Sequence, residues 1–141
     1  MAISAIVQTA VFSYVKANWD ETVQGPIQYE NQPNPAAEPG VLHTSLVIVP
    51  NEAARVRNSI GAPKLITNYG FLFFTTYAPQ EKGSLKQKAL CDYIQNLVDD
   101  VRLSLPTGRT FVLDISAPQT LGQRDGTYRI AVSAPYHYDE W

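Results

Sequence analysis

The sequence predicts an α+β fold: a mixed or mainly antiparallel β-sheet with two α-helices packed on one face, in a single domain spanning residues 1–141. Two stretches with apolar residues at helical spacing, near residues 3–17 and after residue 84, predict the helices. Runs rich in aromatic and β-branched residues lie between and after them and predict the strands. With 141 residues and 45% hydrophobic content, the chain can bury one core but not two.

The first helix is predicted from about Ile3 to Ala17. Its apolar stripe at helical spacing consists of Ile3, Ile6, Val7, Ala10, Tyr14 and Ala17. Phe12 sits nearly opposite this stripe, and Val15 lies well off its centre. We therefore expect Phe12 and Val15 to contact a neighbouring subunit; the alternative is a single exposed phenylalanine, which many protein surfaces carry.

Residues 20–40 form a proline-rich segment that is predicted to be a surface loop. Proline donates no backbone hydrogen bond, so the four prolines of this segment exclude a helix interior and a central strand. Only Ile27, Gln28 and Tyr29 alternate in the manner of a short edge strand.

The middle of the chain predicts two strands. Val41–Val49 is a strand ended by a proline, and a polar connection, Asn51–Gly61, follows it with Arg55 and Arg57. Gly70–Pro79 is the central strand, because it is dominated by aromatic and β-branched residues. Both of its faces are apolar, with Phe71, Phe73 and Tyr77 on one and Leu72 and Phe74 on the other. Such a strand needs a covering layer on each side, from helices or from another subunit.

The second helix is predicted to begin at Ser84. Ser84 and Gln87 have the spacing of a capping box, in which each side chain satisfies a backbone N–H at the start of the helix. The buried stripe consists of Leu90, Tyr93, Ile94, Leu97 and Val101. The run Leu105–Gly108 ends the helix. Asp99 and Asp100 lie near this end, where the helix dipole disfavours negative charge, so they belong to a solvated face or have another role.

Two further strands complete the predicted sheet. They are Thr110–Ala117 and Thr127–Ala134, joined by a hairpin whose tip spans residues 118–126. The side chains expected to point inward are Phe111, Leu113, Ile115, Tyr128, Ile130 and Val132. The C-terminal tail, residues 135–141, is rich in aromatic residues and is expected to dock on its own sheet or on a neighbour.

The composition argues against several classes of function. A net charge of −2 and a pI near 5.6 provide no excess of Lys and Arg for binding nucleic acid or an anionic membrane. No apolar run approaches the roughly 18 residues needed to span a bilayer. Cys91 is the only cysteine, so we expect a buried, inert thiol and neither an intramolecular disulfide nor a cysteine-rich metal site. The amino terminus lacks the basic region of a signal peptide, which indicates a cytoplasmic place of synthesis.

No catalytic, cofactor-binding or metal-binding set can be assembled from the sequence. His43 and His137 lie far apart and outside metal-binding spacings. There is no glycine-rich phosphate loop and no Gly-x-Ser-x-Gly motif. We therefore predict a non-enzymatic protein without a cofactor or metal, whose function lies in its surfaces. The candidate interface residues are Phe12, Val15, Arg55, Arg57, Arg124 and Trp141.

A set of motifs occurs in a defined order over nearly the whole chain. They are an amino-terminal helix, Ile27–Asn31, an arginine-bearing stretch ending at Gly61, Gly70–Pro79 followed by Gly83, Leu90–Ile94 and Gly126–Tyr136. The most specific are the strand closed by Ala78-Pro79 and the final Val132-x-x-Pro135-Tyr136. In this order the chain resembles the tail terminator and tail completion proteins of long-tailed bacteriophages, including the DUF4128 group and the tail terminator of phage lambda. The end at Trp141 departs from the family pattern.

The resemblance implies a mixed α/β fold that assembles as a homo-oligomeric ring, expected to be hexameric, on the last ring of the tail tube. The ring would stop tube polymerisation and offer the surface that joins tail to head. Its partners would be the major tail tube protein and the head–tail connector or stopper protein, and DNA would pass through the lumen without specific binding. Arg55 and Arg57 are the candidates for a tube-facing or connector-facing loop.

The implied location is the head-proximal end of the tail in the virion, after assembly in the host cytoplasm, with no membrane partner. Two alternatives remain open from the sequence. One is another head–tail connector or minor tail protein that shares the fold. The other belongs to a different class: a small cytoplasmic ligand-binding module with a pocket beneath the aromatic strand.

Overall fold

The structure, a computed structural model, describes residues 3–30, 32, 34–37, 40–57, 66–79, 84–124 and 126–140. Within these ranges the helices are α1 (Ile3–Asn18), α2 (Glu21–Gln24) and α3 (Ser84–Val98). The strands are β1 (Ile27–Tyr29), β2 (His43–Arg57), β3 (Ile66–Pro79), β4 (Val101–Ser104), β5 (Thr110–Leu113), β6 (Ala117–Arg124) and β7 (Thr127–Glu140).

The strands form one mixed sheet in the order β1-β2-β3-β7-β5-β4, and β6 also pairs with β7. Strands β1 and β2 run parallel, and the other pairs are antiparallel. Strands β3 and β7 pair along their full lengths, from Ile66 opposite Glu140 to Pro79 opposite Thr127. The predicted α+β class is confirmed.

The core lies between α1 and α3 on one side and a single face of the sheet on the other. Apolar side chains from the inner face of the sheet with no more than 1% exposure are Leu46, Leu72, Phe74, Phe111, Leu113, Val132 and Ala134. They alternate along β3 and β7 with residues that point away from the helices, as the period of two requires. The buried positions of Leu72 and Phe74 agree with a central strand.

Helix α1 buries a different face from the one that its stripe predicts. Its buried side chains are Val7, Val11, Phe12 and Val15, and Ala17 is exposed. Phe12 packs on Tyr29 of β1 with 5.0 Å between ring centroids. The expectation that Phe12 and Val15 form an exposed second face is therefore wrong, because both are part of this chain's own core.

The hydroxyl of Tyr14 determines which face of α1 is buried. The helix is apolar on two sides, so its periodicity alone does not choose which side is buried. Tyr14 donates its hydroxyl to the Leu97 carbonyl oxygen at 2.6 Å, and Tyr93 donates to the Asn18 carbonyl oxygen. A tyrosine that must keep its hydroxyl paired lies at the margin of a core, so Tyr14 marks the edge of the buried face.

Gln87 is fully buried and binds the sheet instead of the helix terminus. Its Nε2 donates to the carbonyl oxygen and the hydroxyl of Thr76, both at 3.1 Å, and to the Tyr128 carbonyl oxygen at 3.0 Å. Its Oε1 has no hydrogen-bond partner. The predicted capping-box contact from Gln87 is therefore absent, and the side chain ties α3 to both β3 and β7.

Helix α3 ends earlier than predicted, and a strand follows it. Asp100 adopts a left-handed conformation with φ of 53°, which stops the helix after Val98. Val101, expected in the helical stripe, instead begins β4 opposite Leu113. Asp99 has a structural role, since its carboxylate accepts hydrogen bonds from the backbone N–H and the hydroxyl of Ser116.

Three other features differ from the prediction. Strand β2 continues past Pro50 to Arg57, so the predicted polar connection is in part a strand. Ile115, expected to point inward, is 66% exposed between β5 and β6. The predicted hairpin tip, residues 118–126, is mostly strand β6. The tail from Pro135 continues β7 and so docks on its own sheet, which was one of the two predicted alternatives.

The first prediction from this fold concerns the core position of Phe12. We expect Phe12→Asp to destabilise the chain by about 3–5 kcal/mol or more, because it removes buried aromatic volume and places a charge in the core. Urea melts followed by circular dichroism measure this. Ser13→Asp, on the exposed side of the same helix, is the control and should cost less than about 0.5 kcal/mol. A folded Phe12→Asp chain with unchanged stability would contradict the buried orientation of α1.

A second prediction concerns the amide of Gln87. Gln87→Leu should cost about 1–3 kcal/mol, because it removes the donor to two backbone carbonyl groups in a buried site. The midpoint of urea unfolding measures the loss. Lys88→Leu, at an exposed neighbouring position, is the matched control and should leave the midpoint nearly unchanged. Equal stability of both variants would show that the Gln87 contacts are not needed.

A third prediction concerns alkaline pH. Burial, reinforced by Glu21 for Tyr29 and by Tyr138 for Tyr136, raises the pKa of Tyr29 and Tyr136 to about 12 from the ordinary 10.0. The fold thus favours the neutral phenols, so their contribution to stability is complete below pH 10 and falls as the pH rises towards 12. Unfolding midpoints across this window, with tyrosinate absorbance, measure it. Tyr136→Phe should lose less stability over the same window than the unmodified chain, and an identical loss would contradict the assignment.

Candidate functional site

The face of the sheet opposite the described helices is apolar and half-exposed. We call it the outer face, defined by Val47, Val49, Tyr69, Phe71, Phe73 and Pro135. The β2–β3–β7 register places Val49, Phe71 and Pro135 in one row across the sheet. Val49 is 41% exposed, Tyr69 39% and Phe71 37%. The Phe71 and Phe73 rings lie 5.8 Å apart. The outer face is therefore a continuous apolar surface outside the core.

Polar groups lie at both ends of the outer face. At one end His43 stacks on Tyr77 with 4.8 Å between centroids. Arg129 lies opposite Tyr77 in the register, and its buried Nε has no hydrogen-bond partner. At the other end His137 Nδ1 lies 3.4 Å from an Asp114 carboxylate oxygen. An apolar centre with a polar rim is the composition of a protein-binding surface.

A shallow polar cleft of about 330 Å³ adjoins this second end. Arg102, Arg109, His137 and Asp139 are among the residues that line it. The Asp139 carboxylate accepts the Thr67 hydroxyl at 2.6 Å and so belongs to a cross-strand pair. Guanidinium and imidazole groups in such a cleft can hydrogen-bond a carboxylate or a phosphate. The arrangement of these charged groups suits binding of an anionic group.

The single cysteine sits in a protected position. Cys91 is buried, and this burial raises the pKa of its thiol. Its sulfur lies 3.6 Å from the Thr76 hydroxyl. A thiol with a raised pKa in the core is a poor nucleophile. Across the ranges that the structure describes, no group of three or more His, Cys, Asp or Glu side chains is placed to hold a metal ion.

None of the helices in the described ranges has both the length and the apolar character needed to cross a bilayer.

The interface residues predicted from the sequence lie in different places. Phe12 and Val15 are in the core, and Arg124 is exposed at the last position of β6. Arg55 and Arg57 are among the last residues of β2, where only the backbone is described. Trp141 lies outside the described residues. No single site unites the candidates whose side chains are described.

The sequence did contain the signal for the outer face. Phe71, Phe73 and Tyr77 alternate with buried residues, and this alternation predicts a second apolar surface. No pattern in the sequence predicted the polar cleft. Arg102 lies in the stretch that was predicted as helix, between Val101 and Leu105, and only the pairing of β4 with β5 places it on the sheet near His137.

Comparison with known proteins finds several solved structures that share this fold. No protein-family model matches the sequence, and no curated protein sequence matches it either. One structure, whose designation states no function, has a TM-score of 0.74 and 14% identity, with 98% of this chain and 96% of that chain covered. Another is a chain in the virion of a native gene transfer agent particle, with a TM-score of 0.69, 14% identity and coverage of 99% and 98%. At 14% identity these similarities show the fold alone.

Proposed function

We propose that this chain is a structural protein of a phage-like virion and that it acts as a tail terminator. In this role it forms a ring, expected to be hexameric, that caps the tail tube, stops its polymerisation and offers the surface for head joining. The observation that carries the proposal is the shared fold, over 99% of this chain, with a chain of the gene transfer agent virion. The order of sequence motifs described above supports the same role.

The surfaces of the chain support an assembly role. A closed ring requires heterologous contacts, in which one patch of a subunit meets a different patch of the next. The sheet is covered by helices on one face and leaves the other face apolar and half-exposed. The two faces of the sheet are therefore chemically different and provide unlike surfaces for such contacts.

The buried polar groups hold the elements of the subunit together. Gln87 and Thr76 connect α3 with β3 and β7, and Ser116 connects the β5–β6 segment with the end of α3. Each of these contacts joins elements of the fold. We propose the major tail tube protein and the head–tail connector as partners, with DNA passing through the ring without specific contacts.

The fold alone is equally compatible with another head–tail joining component, so the experiment must distinguish the terminator role from the joining role. Deleting the gene from its phage and imaging the lysate by electron microscopy does this. A terminator predicts overlong tail tubes without heads, because nothing stops polymerisation. Supplying the intact gene on a plasmid should restore tails of normal length, and so should the Ser13→Asp gene, whereas the Phe12→Asp gene should fail.

The other outcomes also have definite meanings. Tails of normal length lying beside full heads would show a joining protein and contradict the terminator. Intact virions would contradict the virion role and favour the small cytoplasmic ligand-binding module, whose test is a bound metabolite in native mass spectrometry.

A further inference from the structure

We propose that Glu30, Gln32 and Asn34 form an edge cap that prevents a second copy of this chain from adding a strand to the β1–β2 edge of the sheet. These three residues follow β1 along the sequence. Each of them binds a backbone group that an added strand would need. The proposal concerns the isolated chain and does not depend on the virion role.

The strand behind this edge is the reason that it needs protection. Strand β1 ends the strand order with 3 residues, whereas its neighbour β2 has 15. The part of β2 that begins beside β1, Thr44–Val49, contains no charged residue, proline or glycine and is rich in valine and isoleucine. Six-residue segments of this composition pair with copies of themselves when an edge exposes them. An open edge on β2 would therefore be a site for strand addition between copies.

The backbone groups of β1 divide between β2 and the outside. The Thr44 N–H donates to the Pro26 carbonyl oxygen at 3.0 Å, across the β1–β2 pair. Successive peptide groups of a strand point to opposite sides, so the carbonyl groups of Ile27 and Tyr29 point away from β2. These two carbonyl groups are the acceptors that a strand added at β1 would bind.

The edge cap occupies both of these outward acceptors. The Asn34 side-chain amide donates from Nδ2 to the Ile27 oxygen at 2.9 Å. The Gln32 backbone N–H donates to the Tyr29 oxygen at 3.0 Å. The Asn34 amide is itself held in orientation, because its Oδ1 accepts the Ala36 N–H at 3.1 Å. The chain therefore returns along its own edge and fills the acceptor positions of β1.

Beyond β1 the edge cap continues on β2. The last pair of the β1–β2 ladder joins Tyr29 and Leu46, so the next donor on this side of β2 is the N–H of Ile48. The Glu30 carboxylate accepts this N–H at 3.3 Å. The donor position after it falls on Pro50, which has no N–H. Neither position therefore offers a donor to an added strand.

The contacted groups follow the spacing of a strand edge and not that of a turn. The two acceptors on β1 belong to alternate residues, Ile27 and Tyr29, as do the groups along one edge of any strand. The side chains of Glu30 and Asn34 reach backbone of β2 and β1 in addition to closing their own loop. Covering an edge with a loop and a charged side chain is a known means of preventing association through strands.

The test removes both side chains of the edge cap in one double variant, Glu30→Ala/Asn34→Ala. We expect its Ile48 amide to exchange with solvent about tenfold faster or more, because this amide loses a hydrogen bond to a charged acceptor. Hydrogen exchange followed by NMR measures this. We also expect the double variant to form larger species than the unmodified chain at equal concentration, measured by sedimentation velocity and thioflavin fluorescence.

The matched control is Glu21→Ala/Asn18→Ala. It removes one exposed carboxylate and one exposed side-chain amide, which donates to the Tyr14 carbonyl oxygen at 2.9 Å within α1. Neither residue lies at a sheet edge, so we expect this control to sediment as the unmodified chain does.

A further variant separates strand addition from a general loss of stability. Val49→Lys places a charge in the apolar run of β2 at a position that is 41% exposed, and a charge within such a run opposes pairing between copies. Combined with Glu30→Ala/Asn34→Ala, it should return sedimentation to that of the unmodified chain without raising the urea midpoint.

Three results would overturn the proposal. Unchanged exchange at Ile48 would show that the contacts do not protect this edge. Faster exchange with unchanged sedimentation would show that an open edge does not recruit a second copy. Larger species that Val49→Lys does not reverse would place the association elsewhere. If circular dichroism shows the double variant to be unfolded, Glu30→Ala measured against Glu21→Ala decides by the same three criteria.

Discussion

The structure depends on the ladder between β3 and β7, which pair residue by residue along their whole lengths. Three strands attach directly to this pair, β2 to β3 and β5 and β6 to β7. Strand β1 then pairs with β2, and β4 pairs with β5. One glycine makes the close pairing possible. Gly70 lies opposite Tyr136, whose ring covers it, and a Cβ at Gly70 would lie 2.4 Å from ring atoms. Any side chain at this position would displace the tyrosine from the core.

The same ladder determines how the helices attach. Gln87 contacts backbone oxygens on both strands of the pair, so α3 is held across the ladder and not against one strand. Helix α1 is in turn held to α3 by the Tyr14 hydroxyl on the Leu97 carbonyl oxygen. The helix layer is therefore placed through polar contacts at a few points and stabilised by apolar burial between them.

The described helices cover only one face of the sheet. A central strand with apolar residues on both sides usually lies between two layers. Here the layer on the second side is absent from the described part of the chain, and the outer face retains aromatic side chains at the surface. The described part of the chain therefore leaves an apolar surface outside the core.

The sequence by itself determined the fold class, the positions of the two long helices and the alternation along β3, because helical and strand periodicities are local properties of the chain. It also indicated that the aromatic tail would dock, and the tail does so as the end of β7. Only the tertiary structure decided which side of α1 is buried, because a helix that is apolar on two sides needs a partner to choose between them. The tertiary structure also decided the place of Pro50. This residue stays within β2 because its missing N–H costs nothing at a free edge. The outer face was visible in the sequence as a pattern, but its exposure depends on what packs against it, and periodicity carries no information about that.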